Sequence, residues 1–195
     1  MITIEQVKTL REQTLAPVNE CRKALQEANG DMEKAKEILR KWGKTLAEKK
    51  VEREAKEGMV DTYLHPNKKL GVILELRCES DFVAKNQDFQ NLAHELCLQI
   101  AATNPLFVSE DDIPEKIVEK EKKLYLEQFS GQGKPKQVIE GIIEGKLKKY
   151  KEETCLLSQP WVKDETKKIK DLLTETIAKL GENIAVRQFI RFSVK

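Results

Sequence analysis

Apolar side chains near the N-terminus recur at helical spacing, which predicts three short helices. Thr3 and Gln6 have the spacing of a capping box, which places the start of the first helix here. Gly30 is expected to stop the second helix and Gly43 the third. The pattern predicts a compact three-helix domain over residues 1–43. Its apolar positions are Ile4, Val7 and Leu10, then Cys21, Ala24, Leu25 and Ala28, then Met32, Ala35, Ile38, Leu39 and Trp42.

The next segment, residues 44–57, carries many charges of both signs and few apolar side chains. A nucleic-acid-binding arm would be more one-sidedly basic. The composition therefore predicts a solvated, charged helical linker.

From Gly58 onward the hydrophobic period changes from helical to alternating. Residues 60–64 and 70–78 alternate, and the turn signal at 65–68 lies between them, which predicts a β-hairpin. A third alternating run, residues 184–194, closes the chain. Because an isolated hairpin is only marginally stable, this last strand is expected to join it in one sheet.

Between the hairpin and the last strand, the apolar spacing is helical again. Together with the alternating runs, it predicts an α+β core over residues 58–195, after a helical N-terminal domain. The apolar stripes are Phe89, Leu92, Ala93, Leu96 and Ile100; Ile117, Leu124 and Tyr125; Val138, Ile139, Ile142, Ile143 and Leu147; Ile169, Leu172, Leu173, Ile177 and Leu180.

The charges of the chain nearly cancel. Its 195 residues include 35 Lys and Arg against 33 Asp and Glu, which leaves a formal net charge of +2. A protein whose main function is to bind the phosphate backbone of nucleic acids usually has a clear excess of basic residues. Sequence-independent nucleic-acid binding is therefore disfavoured as the main role.

The cysteine and hydropathy patterns favour a cytoplasmic protein. No apolar run approaches the roughly 18–20 residues of a transmembrane helix, and the N-terminus lacks the apolar stretch of a signal peptide. The cysteines form no CxxC pair and are not spaced with the histidines as in a zinc site. We expect reduced, structural thiols and no metal or membrane partner, with a disulfide between two neighbouring cysteines as the alternative. These residues are Cys21, Cys78, Cys97, Cys155, His65 and His94.

Residues 131–134 read Gly-Gln-Gly-Lys, a possible phosphate-binding loop. A Walker loop needs two glycines five apart, followed by Lys and Ser or Thr, between a strand and a helix. Here a helical pattern precedes the glycines and Pro135 follows the lysine, so a helix–helix turn is predicted. No catalytic constellation stands out elsewhere, and the chain is predicted not to be an enzyme and to carry no cofactor.

The most informative segment is 78–86, which leaves the hairpin and turns into a helix. Ser80 is a suitable N-cap for that turn. Phe82 and Val83 are adjacent, so they cannot both point into the core of a short turn. Two interpretations stay open: Phe82 staples the turn to the core, or Phe82 is an exposed anchor for a partner's pocket with Asp81 beside it. Aromatic residues dominate interface hot spots.

The same segment resembles a known family. Residues 80–86, Ser-Asp-Phe-Val-Ala-Lys-Asn, are similar to the Thr-Asp-Phe-Val signature of translation elongation factor Ts. Four separate motifs in the family's order cover nearly the whole chain. The other matching stretches are Leu10–Thr14, Cys21–Leu25 and Gly30-Asp31, then Gln159–Asp164, then Gly181–Ile184.

The resemblance implies a fold and a function. It implies a ubiquitin-associated-like helical domain over residues 1–43 and, over 58–195, a dimerisation core in which a three-stranded antiparallel sheet packs with helices. The family exchanges guanine nucleotide on elongation factor Tu, the GTPase that delivers aminoacyl-tRNA. The expected partner is therefore elongation factor Tu, GDP-bound and nucleotide-free, and no catalytic group or cofactor is needed.

The resemblance also implies which residues bind that partner. Ser80, Asp81, Phe82 and Val83 form the signature, and Asp81 with Phe82 is expected to enter the G domain and disturb its magnesium and phosphate site. The N-terminal domain is expected to dock on a helix of the same G domain through Leu10 and Val18.

The chain departs from the family pattern in three respects. Ser80 replaces the usual Thr but keeps the capping hydroxyl. Leu15 stands where the family commonly has Gly and Pro17 follows it, which alters the start of the second helix because Leu does not easily take a positive φ. The chain is also short, and short members of the family have a single core and tend to pair. We therefore expect a homodimer that binds two partner molecules.

Two other functions compete with nucleotide exchange. One is a non-catalytic adaptor that uses its ubiquitin-associated-like head to hold a protein target. The other is an RNA-binding adaptor that uses the lysines of the segment 146–151, although the near-neutral charge argues against it. These lysines are Lys146, Lys148, Lys149 and Lys151.

Overall fold

A computed structural model describes residues 2–14, 16–50, 52–129 and 136–194; within the second range, the side chains of residues 44 and 46–48 are not described. The Gly-Gln-Gly-Lys segment at 131–134 and Leu15 lie outside the described residues, so the predictions made for them stay predictions.

The predicted helices and strands occur in the predicted order, with additional short elements between them. Two short 3₁₀ helices, Glu110–Asp112 and Leu156–Ser158, interrupt the connections. The helices are α1 Ile4–Thr14, α2 Val18–Glu27, α3 Met32–Lys50, α4 Asp81–Ala84, α5 Gln87–Thr103, α6 Glu115–Phe129, α7 Lys136–Thr154 and α8 Ile169–Leu180; the strands are β1 Glu57–Leu64, β2 Leu70–Cys78, β3 Pro160–Trp161, β4 Asp164–Lys168 and β5 Ile184–Ser193.

The three N-terminal helices form as predicted. The capping box is confirmed, because the Thr3 amide donates to Gln6 Oε1 at 2.9 Å and the Gln6 amide donates to Thr3 Oγ1 at 3.2 Å. The helices share one apolar core, so each buries a stripe that it could not bury alone. The buried members of this core are Leu10, Cys21, Ala24, Leu25, Ala28, Ala35 and Leu39.

The sequence predicted that the third helix ends at Gly43. The helix instead continues to Lys50. Gly43 is buried, and a Cβ built on it would lie 3.3 Å from the Cβ of Ala178 in α8. Glycine thus permits close helix packing here, instead of a left-handed helix end. A glycine inside a helix costs about 0.5–1 kcal/mol relative to alanine, which the contacts of a longer helix can offset.

The three predicted strands form one antiparallel sheet in the order β1-β2-β5, and with the helices packed on it the fold is α+β. The alternation in β2 is confirmed, since every second side chain is buried. The buried positions are Val72, Leu74, Leu76 and Cys78.

A second, two-stranded sheet, β3-β4, was not predicted. Its residues show no apolar alternation, so the hydrophobic pattern gave no signal. Polar contacts hold it instead: the buried Gln99 side chain donates to the Pro160 carbonyl at 3.1 Å and accepts from the Val162 amide at 2.9 Å. At the start of β4, the Asp164 carboxylate accepts from the Thr166 hydroxyl at 2.6 Å.

Contacts divide the chain into two units. The first comprises Met1–Asp61, Glu75–His94 and Asp171–Arg187, and the second comprises Thr62–Leu74, Glu95–Lys170 and Gln188–Lys195. The first unit joins the N-terminal helices to α4 and α8. The predicted division at residues 43 and 57 concerns consecutive segments and stays a prediction.

In the second unit, α6 and α7 pack against each other as a helical pair. The ammonium group of Lys146 lies 5.3 Å from the ring centre of Tyr125 and 4.9 Å from that of Phe129, a cation–π arrangement. Across the described ranges, no helix is both long and apolar enough to cross a membrane.

We expect Gly58→Ala to lower the free energy of unfolding by at least about 2 kcal/mol. Gly58 has φ +151°, and a Cβ there would lie 2.2 Å from the carbonyl oxygen of Leu76 and 2.8 Å from Cα of Arg77. Urea denaturation measures the change. Gly141→Ala in α7 is the matched control, because its added Cβ would meet nothing within 4 Å beyond the adjacent backbone of its own helix. The control should gain roughly 0.5–1 kcal/mol. Equal stability of the two variants would contradict the steric argument.

Candidate functional site

The turn between β2 and α5 brings four of the predicted site residues together. Ser80 is extended, with φ −130° and ψ 157°, and caps α4: its hydroxyl accepts from the Val83 amide at 3.4 Å. The predicted N-cap is thus confirmed. The helix it starts has a single turn, which hydrogen bonds within the helix cannot stabilise on their own.

Phe82 points away from the protein core. Its side chain is 82% exposed, and α4 contains no buried residue. The interpretation in which Phe82 staples the turn to the core is therefore wrong. Val83 is half-buried beside it. An exposed aromatic ring adds little to folding stability, but it offers a large apolar surface to a partner.

Asp81 is exposed at the first position of α4 and pairs with Lys85 one turn later. The Lys85 ammonium donates to Asp81 Oδ2 at 2.7 Å. That hydrogen bond, with the charge of Lys85, holds the pKa of Asp81 below its ordinary value. The same bond, with the charge of Asp81, raises the pKa of Lys85. Asp81 is therefore an ionised acceptor near neutral pH.

Two carboxylates anchor the turn to the segment before β5. Glu182 accepts from the Ser80 amide at 2.9 Å and from the Ser80 hydroxyl at 2.6 Å. In the opposite direction, Glu79 accepts from the Asn183 amide at 2.6 Å and lies 3.5 Å from the Arg53 guanidinium. Each segment thus supplies a carboxylate to a backbone N–H of the other. No spacing rule could have found the hydrogen bonds between the two segments, which join residues more than 100 positions apart.

Cys78, the last residue of β2, lies on the buried face of that strand, just before the turn. Its thiol is fully buried and donates to the Ser80 carbonyl at 3.1 Å. Burial, with the negative charge of Glu182 as a further cause, raises the pKa of Cys78 to about 11. The group is therefore a neutral hydrogen-bond donor near pH 7, as the prediction of structural thiols requires.

The three N-terminal helices, α1 to α3, are called the helical module here. Its two predicted docking residues have different environments. Val18 begins α2 and is 48% exposed, so it can meet a partner. Leu10 is 0% exposed and belongs to the core of the three helices. Of the two residues, only Val18 is therefore accessible at the surface, and the docking role of both stays a prediction. A cleft of about 320 Å³ also lies on this module, lined by Glu20, Lys23, Trp42, Thr45 and Lys49.

The described part of the chain contains no group of three or more His, Cys, Asp or Glu side chains arranged to hold a metal ion.

Comparison with known proteins adds the family. A family model described as "Elongation factor TS" matches residues 4–195. The chain is 54% identical over 193 residues to "Elongation factor Ts" of Thermodesulfovibrio yellowstonii, covering 99% of this chain and 96% of that protein. It is 50% identical over 193 residues to "Elongation factor Ts" of Thermotoga maritima, with the same coverage. A Thermoanaerobacter relative of that name is 50% identical over 192 residues, or 98% of this chain and 94% of the relative.

We expect Lys85→Met to raise the pKa of Asp81 toward the ordinary 3.8, because it removes the hydrogen bond and charge that lower it. NMR titration of the Asp81 carboxyl measures this. A lowered pKa in the folded state stabilises the fold above the pKa of the unfolded chain, and this contribution is lost as the pH falls through the folded-state value. The variant should lose that pH dependence.

The control for this titration is Lys8→Met, which removes the lysine of another (i, i+4) pair, with Glu12. It should leave the pKa of Asp81 unchanged. An equal pKa of Asp81 in the wild-type and Lys85→Met proteins would show that the pair does not form in solution.

Proposed function

We propose a specific role for this chain, which belongs to the elongation factor Ts family and is a translation elongation factor: it promotes release of GDP from elongation factor Tu. The observation that carries the proposal is the turn at 80–83. It presents an exposed aromatic ring and a carboxylate, side by side, on a one-turn helix that is anchored by hydrogen bonds.

Exchange of this kind needs no bond chemistry in the exchange factor. A GTPase holds GDP through phosphate-binding backbone groups and Mg²⁺. A protein that binds the nucleotide-free GTPase more tightly than the loaded form must, by linkage, weaken nucleotide binding by the same factor. We therefore propose that the chain is not an enzyme and uses no cofactor of its own.

Asp81 and Phe82 have different roles in the proposed nucleotide exchange. Phe82 supplies apolar surface that is buried only in the complex, so its gain in free energy is available to favour the nucleotide-free state. Asp81 supplies an ionised acceptor that competes for groups around the magnesium and phosphate site. Its bond to Lys85 joins two exposed side chains, and such pairs are weak enough for a partner to replace.

The helical module is proposed as a second contact with the same partner. Val18 would dock on a helix of the G domain, in the manner of a ubiquitin-associated-like domain. Leu10 would contribute indirectly, because its packing in the shared core holds α1 and α2 in the positions that docking needs. We also propose the division into residues 1–43, 44–57 and 58–195, and a cytoplasmic location.

A homodimer is proposed from the exposed face of the three-stranded sheet. In the second unit this face carries large apolar side chains in contact with solvent, two of them from alternate residues of β5 and a third from the residue just after its end. Contiguous apolar surface of this kind marks protein interfaces. The side chains are Leu64, Ile73, Ile190, Phe192 and Val194.

We expect Phe82→Ala to slow the release of a fluorescent GDP analogue from elongation factor Tu by roughly thirtyfold, if a hot-spot loss of about 2 kcal/mol falls on the exchange transition state. Asp81→Ala should also slow it. Stopped-flow fluorescence measures the rate. Leu106→Ala is the matched control, because it removes an exposed apolar side chain outside the proposed site. Unchanged release with weaker binding for Phe82→Ala would instead support the adaptor function.

We expect light scattering at micromolar concentration to give twice the 22.4 kDa mass of the chain. Phe192→Asp should halve that mass, because it places a charge in the proposed apolar interface. Leu106→Asp, an equal change at another exposed apolar position, should leave the mass unchanged. A monomer mass for the wild-type protein would contradict the homodimer.

A further inference from the structure

The Ser80–Val83 turn lacks the usual means by which a protein orients an exposed side chain. α4 is one turn long and contains no fully buried residue, so hydrophobic packing reaches it only through the half-buried Val83 and Ala84. The ring of Phe82 is 82% exposed and makes little contact with its own protein. Its position must therefore be set by the polar contacts of the residue that caps the helix.

Those contacts converge on one carboxylate. The Ser80 hydroxyl has one proton and two lone pairs. Because it donates that proton to Glu182 Oε1 at 2.6 Å, its lone pairs are directed to the Val83 amide. The second oxygen of Glu182 holds the Ser80 amide at 2.9 Å. Glu182 thus fixes both the backbone and the side chain of the N-cap, through hydrogen bonds that its charge strengthens.

Glu182 is itself held by its neighbours. Gly181 has φ +80° and ends α8, with its amide bonded to the Ile177 carbonyl at 2.9 Å. The Lys50 ammonium donates to the Gly181 carbonyl. The buried Asn183 side chain donates to the Arg53 carbonyl at 2.7 Å. The loop that presents Glu182 is therefore bonded on both sides of it.

We propose that Glu182 is a positioning residue for nucleotide exchange: it orients the Ser80 cap and, through it, the ring of Phe82. This inference rests on the proposed exchange function. In this scheme Glu182 acts through the Ser80 cap and not by contact with the partner. It lowers the conformational entropy that the turn loses on binding, because the turn is already held in one conformation.

The test is a double-mutant cycle on GDP release with Glu182→Ala, Phe82→Ala and the double variant. Loss of two charge-assisted hydrogen bonds should slow release about tenfold in Glu182→Ala. In the Phe82→Ala background the same change should have less than about a twofold effect, because there is no ring left to position. A general loss of stability would instead multiply the two effects, and that result would overturn the proposal.

Asp112→Ala is the matched control. Asp112 accepts from the amide and the hydroxyl of Ser109 at 2.8 and 2.7 Å, the same pair of bonds that Glu182 makes with Ser80. It lies in the second unit, whereas the turn at 80–83 lies in the first. The control should release GDP at the wild-type rate. Slowing equal to that of Glu182→Ala would overturn the positioning role.

A second readout does not need elongation factor Tu. Glu182→Ala should speed amide hydrogen exchange at Ser80 and Val83, measured by NMR on the free protein, while Asp112→Ala should not. Unchanged protection at both amides would overturn the proposal even if exchange slowed. If the wild-type chain fails to release GDP, the proposed function falls, and these amides still decide whether Glu182 orients the turn. Glu182→Gln keeps one acceptor oxygen and serves in both assays if Glu182→Ala does not fold.

Discussion

The turn after β2 and the turn before β5 are joined by two carboxylates, one from each turn, that accept hydrogen bonds from the other turn. Glu182 binds the backbone and hydroxyl of Ser80, and Glu79 binds the backbone of Asn183. Backbone N–H groups at the ends of strands and helices lose their regular partners and must find others when they are half-buried. Here each turn supplies what the other lacks. The arrangement depends on β5 lying beside β2, and so on the sheet order.

This constraint explains how a single helical turn can carry an exposed aromatic ring. A helix of four residues has too few internal bonds to persist in water. Packing gives little support, because Phe82 points outward and no residue of α4 is fully buried. The polar anchor lets the protein hold a large apolar side chain in solvent without hiding it in the core. A surface held in this way loses less entropy on binding than a mobile loop would.

Local sequence signals worked where the interaction they report is itself local. The capping box at Thr3 and the N-cap at Ser80 both join residues three positions apart, and both are confirmed. The end of α3 was predicted wrongly, because Gly43 lies within the helix where Ala178, far away in the chain, packs closely against it. The β3-β4 hairpin was not predicted because polar contacts from Gln99, and not an apolar alternation, hold it.

The sequence by itself determined the main helices and the three-stranded sheet, the α+β class and, through the Ser-Asp-Phe-Val motif, the family. These follow from periodicity and from residue order, which are properties of neighbouring positions. Only the tertiary structure decided which side chains of the candidate site reach solvent. Leu10 and Val18 both looked suitable for docking, yet one is in the core and the other on the surface. The proposed role of Glu182 also follows only from the tertiary structure. Its bonds to Ser80 span 102 positions, a proximity created by folding and by no local pattern.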